Sequence, residues 1–241
     1  MLDQHSTSHQ IEAARPEVAV FGIGAIEQHS HHLPVGTDWI AVSEISRRVA
    51  EEFDAFLIPA IPFSMSECHG PMDGTVWIKP ATLAAVLRDV ARSLREQGIR
   101  KLLVLNGHGG NFVLEPTIQA LNQEFSDFLV IMPAEVWAAV EAGEPIYETA
   151  GTEIHAGESE TSTQLYLNAA NVKPARVDYV PPVGREFLDY VFMDAISPDG
   201  MWGTSSYGSA EKGERAIAAQ VRAIVAFARQ AFSLLTGGEN G

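Results

Sequence analysis

Three short stretches of the sequence concentrate residue types that bind metals and move protons. The first reads Gly24-Ala25-Ile26-Glu27-Gln28-His29 and continues through His31, His32, Leu33 and Pro34 to Gly36-Thr37-Asp38. In extended chain, residues two apart face the same side. Glu27 and His29 therefore present a carboxylate and an imidazole to one spot, a usual start for a zinc or manganese site. The plain alternative is a solvated loop carrying a polar pair. Asp38 follows a Gly-Thr turn and precedes a helical pattern, so taken alone it reads as an N-cap.

The second stretch is Asn106-Gly107-His108-Gly109-Gly110-Asn111. Glycines around one histidine let the backbone pass close to a ligand and adopt positive φ. The Lys-Ser/Thr ending of a nucleotide P-loop is missing, so the imidazole reads as a metal ligand or catalytic group. A tight strand-to-helix turn with an incidental histidine is the alternative. The third stretch runs Glu153-Ile154-His155-Ala156-Gly157-Glu158-Ser159-Glu160-Thr161-Ser162. It clusters carboxylates around a histidine, or it is a capped helix start with acids placed favourably for the helix dipole. Together the stretches supply Glu, His, Asp, His and Glu. Two metals need about that inventory if one carboxylate bridges them at a spacing of roughly 3.5–4 Å. Other nucleophiles have less support: Cys68 has only the neighbouring His69, and no G-x-S-x-G elbow occurs.

These stretches need elements to hold them. Short apolar runs at Val18–Ile23, Ala55–Ile61, Lys101–Leu105 and Phe128–Met132 predict buried strands. Between the second and third, Leu83, Leu87, Val90, Ala91 and Leu94 share one helix face, with Pro80 suited to its first turn and Gly98 to its C-terminal cap. Further helices are predicted over Trp39–Phe53, Val113–Phe125, Glu160–Ala169 and Ala210–Leu235. Such alternation predicts a parallel sheet covered by helices on both faces. Ligands of open parallel sheets bind beyond the carboxyl ends of the strands, and the first two metal-type stretches follow the first and third strands. Gly184–Tyr207 shows little periodicity and reads as a long loop of the kind that often carries function.

A length of 241 residues, 46% of them hydrophobic, suits one domain with a large core. Residues 1–15 read as an N-terminal extension, 16–236 as one catalytic domain and 237–241 as a disordered tail. The single cysteine excludes an intrachain disulfide and fits a reducing compartment. The first fifteen residues lack the apolar core of a signal peptide, and no apolar run approaches a membrane span. The expected location is therefore the cytoplasm. A formal charge of −15 repels phosphate backbones, so nucleic acid is not an expected partner, and without an apolar span neither is a membrane.

At these residues the chain resembles the creatininase (creatinine amidohydrolase) family. The matching motifs are GAIEQH with His32-Leu33-Pro34, Asp38, NGHGGN, HAGESETS and, late in the chain, Ser209-Ala210-Glu211-Lys212-Gly213. They span roughly Pro16 to Leu235 in family order. The resemblance implies a three-layer α/β/α sandwich with a mostly parallel sheet and two divalent metals, zinc, manganese or iron, at the strand ends. It implies that Glu27, Asp38 and His108 hold one metal and His29, Asp38 and Glu160 the other, with Asp38 bridging. A water between the metals would be the nucleophile, and His155 would shuttle a proton to the leaving group. It also implies a homo-oligomer, commonly a hexamer.

Departures from the family pattern bear on the substrate, which is expected to be a small molecule. Members that open creatinine carry a glutamate where Gly110 stands and a tryptophan where Gly151 stands. Creatinine is therefore expected to be a poor substrate. Glu158 is expected to take over the acid/base role beside His155. Gly109, Gly110, Glu67, His69, Trp137 and Trp202 are the expected substrate-binding residues, with Ser64–Trp77 and the segment around Trp202 as pocket walls. The expected reaction is hydrolysis of a C–N amide bond in a small, possibly cyclic, substrate. The alternatives are hydrolysis of a carbon–carbon bond in a cyclic polyol ketone and cleavage of a short peptide. A metal-bound module without catalysis fits less well, because both metal sites are complete.

Overall fold

The computed structural model describes residues 1–134, 140, 143 and 145–236. Four parallel strands form the central sheet in the order β2-β1-β3-β4: β1 Val18–Ile23, β2 Phe56–Ile61, β3 Lys101–Asn106 and β4 Leu129–Ile131. β1 lies between two neighbours and all of its residues are buried, which is why VAVFGI is apolar throughout rather than alternating.

Period-two alternation still decides which face each residue packs. Val18 and Val20, with Leu103 and Leu105, meet α2 (Thr37–Glu52) and the long C-terminal helix through Val42, Val49, Ala216, Val225 and Phe232. Ala19, Phe21 and Ile23, with Leu102 and Val104, meet α3 (Pro80–Glu96) and α4 (Leu114–Glu124) through Leu83, Leu87, Leu94, Ile118 and Leu121. The result is the expected three-layer α/β/α sandwich. Other helices among the described residues are a short α1 (Ser8–Ala14), α5 (Glu158–Asn168), α6 (Met193–Ile196) and the C-terminal α7 (Ala210–Thr236). Leu2 pairs its backbone with Ala55 and Leu57 along β2. Among the described residues no helix is long and apolar enough to cross a membrane.

The predicted elements are present, and two boundary differences bear on the site. α2 begins at Thr37, two residues before the predicted Trp39, with Gly36 at its N-cap. Asp38 is therefore inside the first turn and is not the cap. α5 begins at Glu158, so both Glu158 and Glu160 are helical. The predicted long loop Gly184–Tyr207 is a correction: it contains a 3-10 turn (Arg185–Asp189), α6 and the two-residue strand β6 (Gly203–Thr204) paired antiparallel with β5 (Asp178–Tyr179). Its elements are too short for hydrophobic periodicity to register. The predicted tail, 237–241, lies outside the described residues.

Candidate metal centre

The ends of β1 and β3 open next to each other, and α2 crosses just beyond them. Gly107 permits this approach, since a Cβ there would lie 2.7 Å from Val42 Cβ and 3.2 Å from the Asp38 carbonyl. Asp38 on α2 is thereby brought against Glu27 after β1 and His108 after β3. His155 and Glu160 arrive from the turn that starts α5. Within that turn Ala156 adopts φ 57°, a conformation costing a non-glycine residue about 1–3 kcal/mol that the surrounding structure must offset. Its N–H is held by Glu160 Oε2 at 2.5 Å.

All five candidate ligands meet in one cluster. His108 Nδ1 lies 3.3 Å from Glu27 Oε1 and 3.1 Å from Asp38 Oδ2. His29 Nε2 lies 3.3 Å from Asp38 Oδ1 and 3.6 Å from Glu160 Oε1. The groups Glu27-Asp38-His108 and His29-Asp38-Glu160 each bring three donor atoms within 4.8 Å of one another, and Asp38 belongs to both. A further group, Glu27-His29-His155, satisfies the same criterion.

The tautomers are set from outside the cluster. His29 Nδ1–H donates to the Glu27 carbonyl at 3.1 Å, and His108 Nε2–H donates to the Met65 carbonyl at 3.2 Å. Each ring therefore turns its remaining nitrogen lone pair toward carboxylate oxygens. A lone pair facing an anion is repulsive unless a proton or a cation lies between. Burial alone would lower the pKa of both rings, but Glu160 and Asp38 hold His29, and Glu27 and Asp38 hold His108, well above the usual histidine value. Conversely burial would raise the carboxylates. His108 and His69 hold Glu27 well below its usual range, while His29 and His108 hold Asp38 below its own despite Glu27.

Glu27 Oε2, His29 Nε2 and Asp38 Oδ2 are buried without a hydrogen-bond partner. Such atoms are costly unless something binds them. Two donors about 2.1 Å from one ion at the tetrahedral angle sit roughly 3.4 Å apart, close to the spacings in this cluster. The residues therefore fit divalent cations, and the backbone carbonyls that orient the imidazoles are the supports typical of ligating histidines.

Two more histidines border the cluster. His155, buried, donates Nε2–H to the Gln28 carbonyl at 2.6 Å and turns Nδ1 toward Glu27 Oε1 at 3.6 Å. Burial and the neighbouring His29 lower its pKa. His69 accepts at Nδ1 from the Gln28 side-chain amide at 2.8 Å, which leaves Nε2–H facing Glu27 Oε1 at 3.8 Å. Burial first, then His155, pushes its pKa down to about 3. The buried Gln28 therefore orients both rings, one through its backbone and one through its side chain. Sequence reasoning passed over it, although its place between Glu27 and His29 was a signal.

A cleft of about 850 Å³ opens over the cluster. Glu67, His69, Gly109 and Gly110 line it, with His155, Phe112 and residues 188–193. Glu67 is paired with Lys79 at 2.5 Å. Two expectations are corrected. The Glu158 carboxylate is turned away from the cleft: it accepts from Thr149 N and Oγ1, both at 2.8 Å, and from Lys212. Two residues along a helix differ by about 200° in direction, so Glu158 and Glu160 face opposite ways. Trp202 is no pocket wall. The residue is 2% exposed, and its backbone pairs with His155 in both directions at 3.0 and 2.9 Å, anchoring the histidine's loop. Trp137 lies outside the described residues. At Gly110 a Cβ would meet His108 Nε2 at 2.4 Å and the Met65 carbonyl at 2.6 Å, whereas Gly151 faces open space.

This fold and site define an α/β/α sandwich with a cluster of candidate metal ligands at the carboxyl ends of the strands. Comparison with known proteins agrees. The profile described as Creatininase: Creatinine amidohydrolase matches residues 4–228. Creatinine amidohydrolase of Pseudomonas putida is 30% identical over 239 residues, covering 91% of this chain and 92% of that protein. The mycofactocin precursor peptide peptidase of Mycobacterium tuberculosis is 29% identical over 231 residues, covering 90% and 86%. A crystal structure of creatinine amidohydrolase (creatininase) superposes with TM-score 0.80 at 24% identity, covering 96% of this chain and 98% of that one, a likeness that speaks to the fold. The chain belongs to the creatininase family of hydrolases.

Proposed function

We propose that this chain is a two-metal amidohydrolase that cleaves a C–N amide bond in a small, possibly cyclic, substrate. The observation that carries the proposal is the pair of donor triads sharing Asp38, with buried donor atoms left unpartnered by the protein. Glu27, Asp38 and His108 would hold one divalent ion, and His29, Asp38 and Glu160 the other. Zinc, manganese or iron suits this set of imidazole and carboxylate donors. When bound, such a pair supplies charge that acidifies water and polarises a carbonyl.

The protein groups do the rest. The backbone carbonyls of Glu27 and Met65 keep the lone pairs of His29 and His108 aimed inward. His155 is neutral at neutral pH because its pKa is lowered, and its Nδ1 faces the cluster. Its Nδ1 would take the proton released by the water that adds to the amide carbon and give it to the departing amine nitrogen as the C–N bond breaks. Gln28 fixes the ring that does so. His69 borders the cleft with an N–H donor. Gly109 and Gly110 form the wall beside His108. We place the enzyme in the cytoplasm as a homo-oligomer, hexameric by likeness to its family.

Peptide cleavage on the same site is the second reading. It draws on the mycobacterial peptidase relative and on a cleft roomy enough for a peptide segment. Elemental analysis of protein purified without chelator, combined with a hydrolysis screen of lactams, formamides, short peptides and keto-inositols, tests both. About two transition-metal ions per chain and turnover of an amide are expected. Protein without transition metal sinks the mechanism, and turnover confined to keto-inositols moves the reaction to a carbon–carbon bond.

A further inference from the structure

Arg185 opens the 3-10 turn Arg185–Asp189, well downstream of the metal-type motifs, and its side chain reaches back to the cleft. One guanidinium nitrogen, Nη2, donates to the Gly109 carbonyl at 3.0 Å, so it sits beside the residue that follows His108. Among the described residues it is the one Lys or Arg that lines the cleft. Of the other charged side chains there, Glu27, Asp38 and Glu160 belong to the cluster and Glu67 pairs with Lys79; Asp189, at the end of the same turn, is the remaining carboxylate and forms no ion pair with Arg185. No carboxylate of the described residues forms an ion pair with Arg185.

A guanidinium carries five N–H donors in a planar fork, and Arg185 spends one of them on a backbone carbonyl. The rest are free to face a ligand. Arg185 is itself exposed at the cleft's edge, and in a chain with a formal charge of −15 it pairs with none of the described carboxylates. Guanidinium and carboxylate match geometrically through two parallel hydrogen bonds, each stronger than a neutral one. The turn carrying Arg185 continues into Tyr190, 82% exposed, and Phe192, 50% exposed, which give the same wall an apolar rim.

We propose that Arg185 binds a carboxylate of the substrate, so that the amides cleaved here carry a free carboxylate close to the scissile bond. N-acyl amino acids and the C-terminal residue of a short peptide both have that chemistry. This rests on the amidohydrolase reading and narrows it. It also separates Arg185 from a group that only pins the Gly109 loop. A loop pin affects charged and neutral substrates alike, whereas a carboxylate anchor affects only the charged ones.

The test compares matched probes on the metal-loaded protein: the N-formyl, N-acetyl and N-benzoyl derivatives of glycine and β-alanine, dipeptides, and the carboxamide counterpart of each. For every pair, kcat/KM is measured, and Kd by calorimetry where there is no turnover. Wild type is expected to prefer carboxylate to carboxamide by at least tenfold in one series. Arg185→Met should bring that ratio close to one, and Arg185→Lys should keep part of it, with metal content unchanged in both. Three results overturn the proposal: no preference anywhere in the wild-type panel, a preference that survives in Arg185→Met, or equal losses for both members of each pair. The peptide and N-acyl arms distinguish the two sources of the carboxylate. Arg185-dependent binding preference without hydrolysis of any probe would remove the amidohydrolase reading and leave the carboxylate site standing.

Discussion

Asp38→Ala is expected to empty both metal sites in one step, and the structure allows its size to be worked out. The Asp38 carboxylate offers Oδ1 to His29 Nε2 at 3.3 Å and Oδ2 to His108 Nδ1 at 3.1 Å, so each triad loses a ligand when it goes. A metal that binds only the native state stabilises it by about 2.7 kcal/mol at a free concentration one hundred times its Kd, so two sites contribute about 5 kcal/mol. In a domain of this size each kcal/mol moves Tm by about 2–4 °C, which gives the wild type a shift of roughly 10–20 °C between chelated and loaded forms. Asp38→Ala should show almost none of that shift. Glu27→Gln, which touches one of the two proposed sites, should keep about half. Asp38 also lies in the first turn of α2, where losing an acid costs about 0.3–1 kcal/mol with or without metal. The quantity to compare is therefore the metal-dependent shift, not Tm itself. Thermal denaturation with and without chelator, alongside elemental analysis per chain, is the assay. An Asp38→Ala protein that holds two metals and shows the wild-type shift would refute the shared-carboxylate argument.

His155→Ala is expected to keep its metals and lose about 10²–10⁴-fold in turnover, the range for a positioned proton carrier. Loss of metal instead would make His155 a ligand through the Glu27-His29-His155 group, and elemental analysis decides between the two. Glu158→Gln should act on stability: it weakens the charge-assisted hydrogen bond to Lys212, which keeps Glu148, a change costing about 1.5–3 kcal/mol, or roughly 3–12 °C in Tm, with metal content and turnover largely kept. A folded, normally stable Glu158→Gln enzyme without activity would restore Glu158 to the chemistry. Creatinine should be a poor substrate, with kcat/KM far below about 10⁴ M⁻¹s⁻¹ in steady-state assay. Gly110 cannot present a carboxyl group, and its surroundings leave no room for the side chain of Gly110→Glu unless His108 or Met65 shifts. An ordinary rate on creatinine would show that other residues fill those roles.

What the sequence by itself determined is the part governed by local periodicity and by residue type. Runs such as VAVFGI and KLLVL are strands because both faces of a central parallel strand are buried, and the helix patterns follow from one face packing on the sheet. Glu27, His29 and His108 were legible as donors because their stretches follow strand ends, where the fold gathers ligands, whereas Asp38 and Glu160 joined them as ligands through the family resemblance. Direction and reach were decided only by tertiary structure. Glu158 and Glu160 are near neighbours in the chain, yet one faces Lys212 and the other His29, because α5 starts earlier than its pattern showed and turns them apart. Trp202 looked like a pocket wall, but a backbone pairing with His155 buries it. Gln28 acts through its backbone on one ring and its side chain on another, contacts made across 127 and 41 residues of chain. Arg185 reaches Gly109 across 76 residues from a segment without periodicity. Such contacts depend on how separate elements pack against one another, and no local pattern of residues encodes that distance.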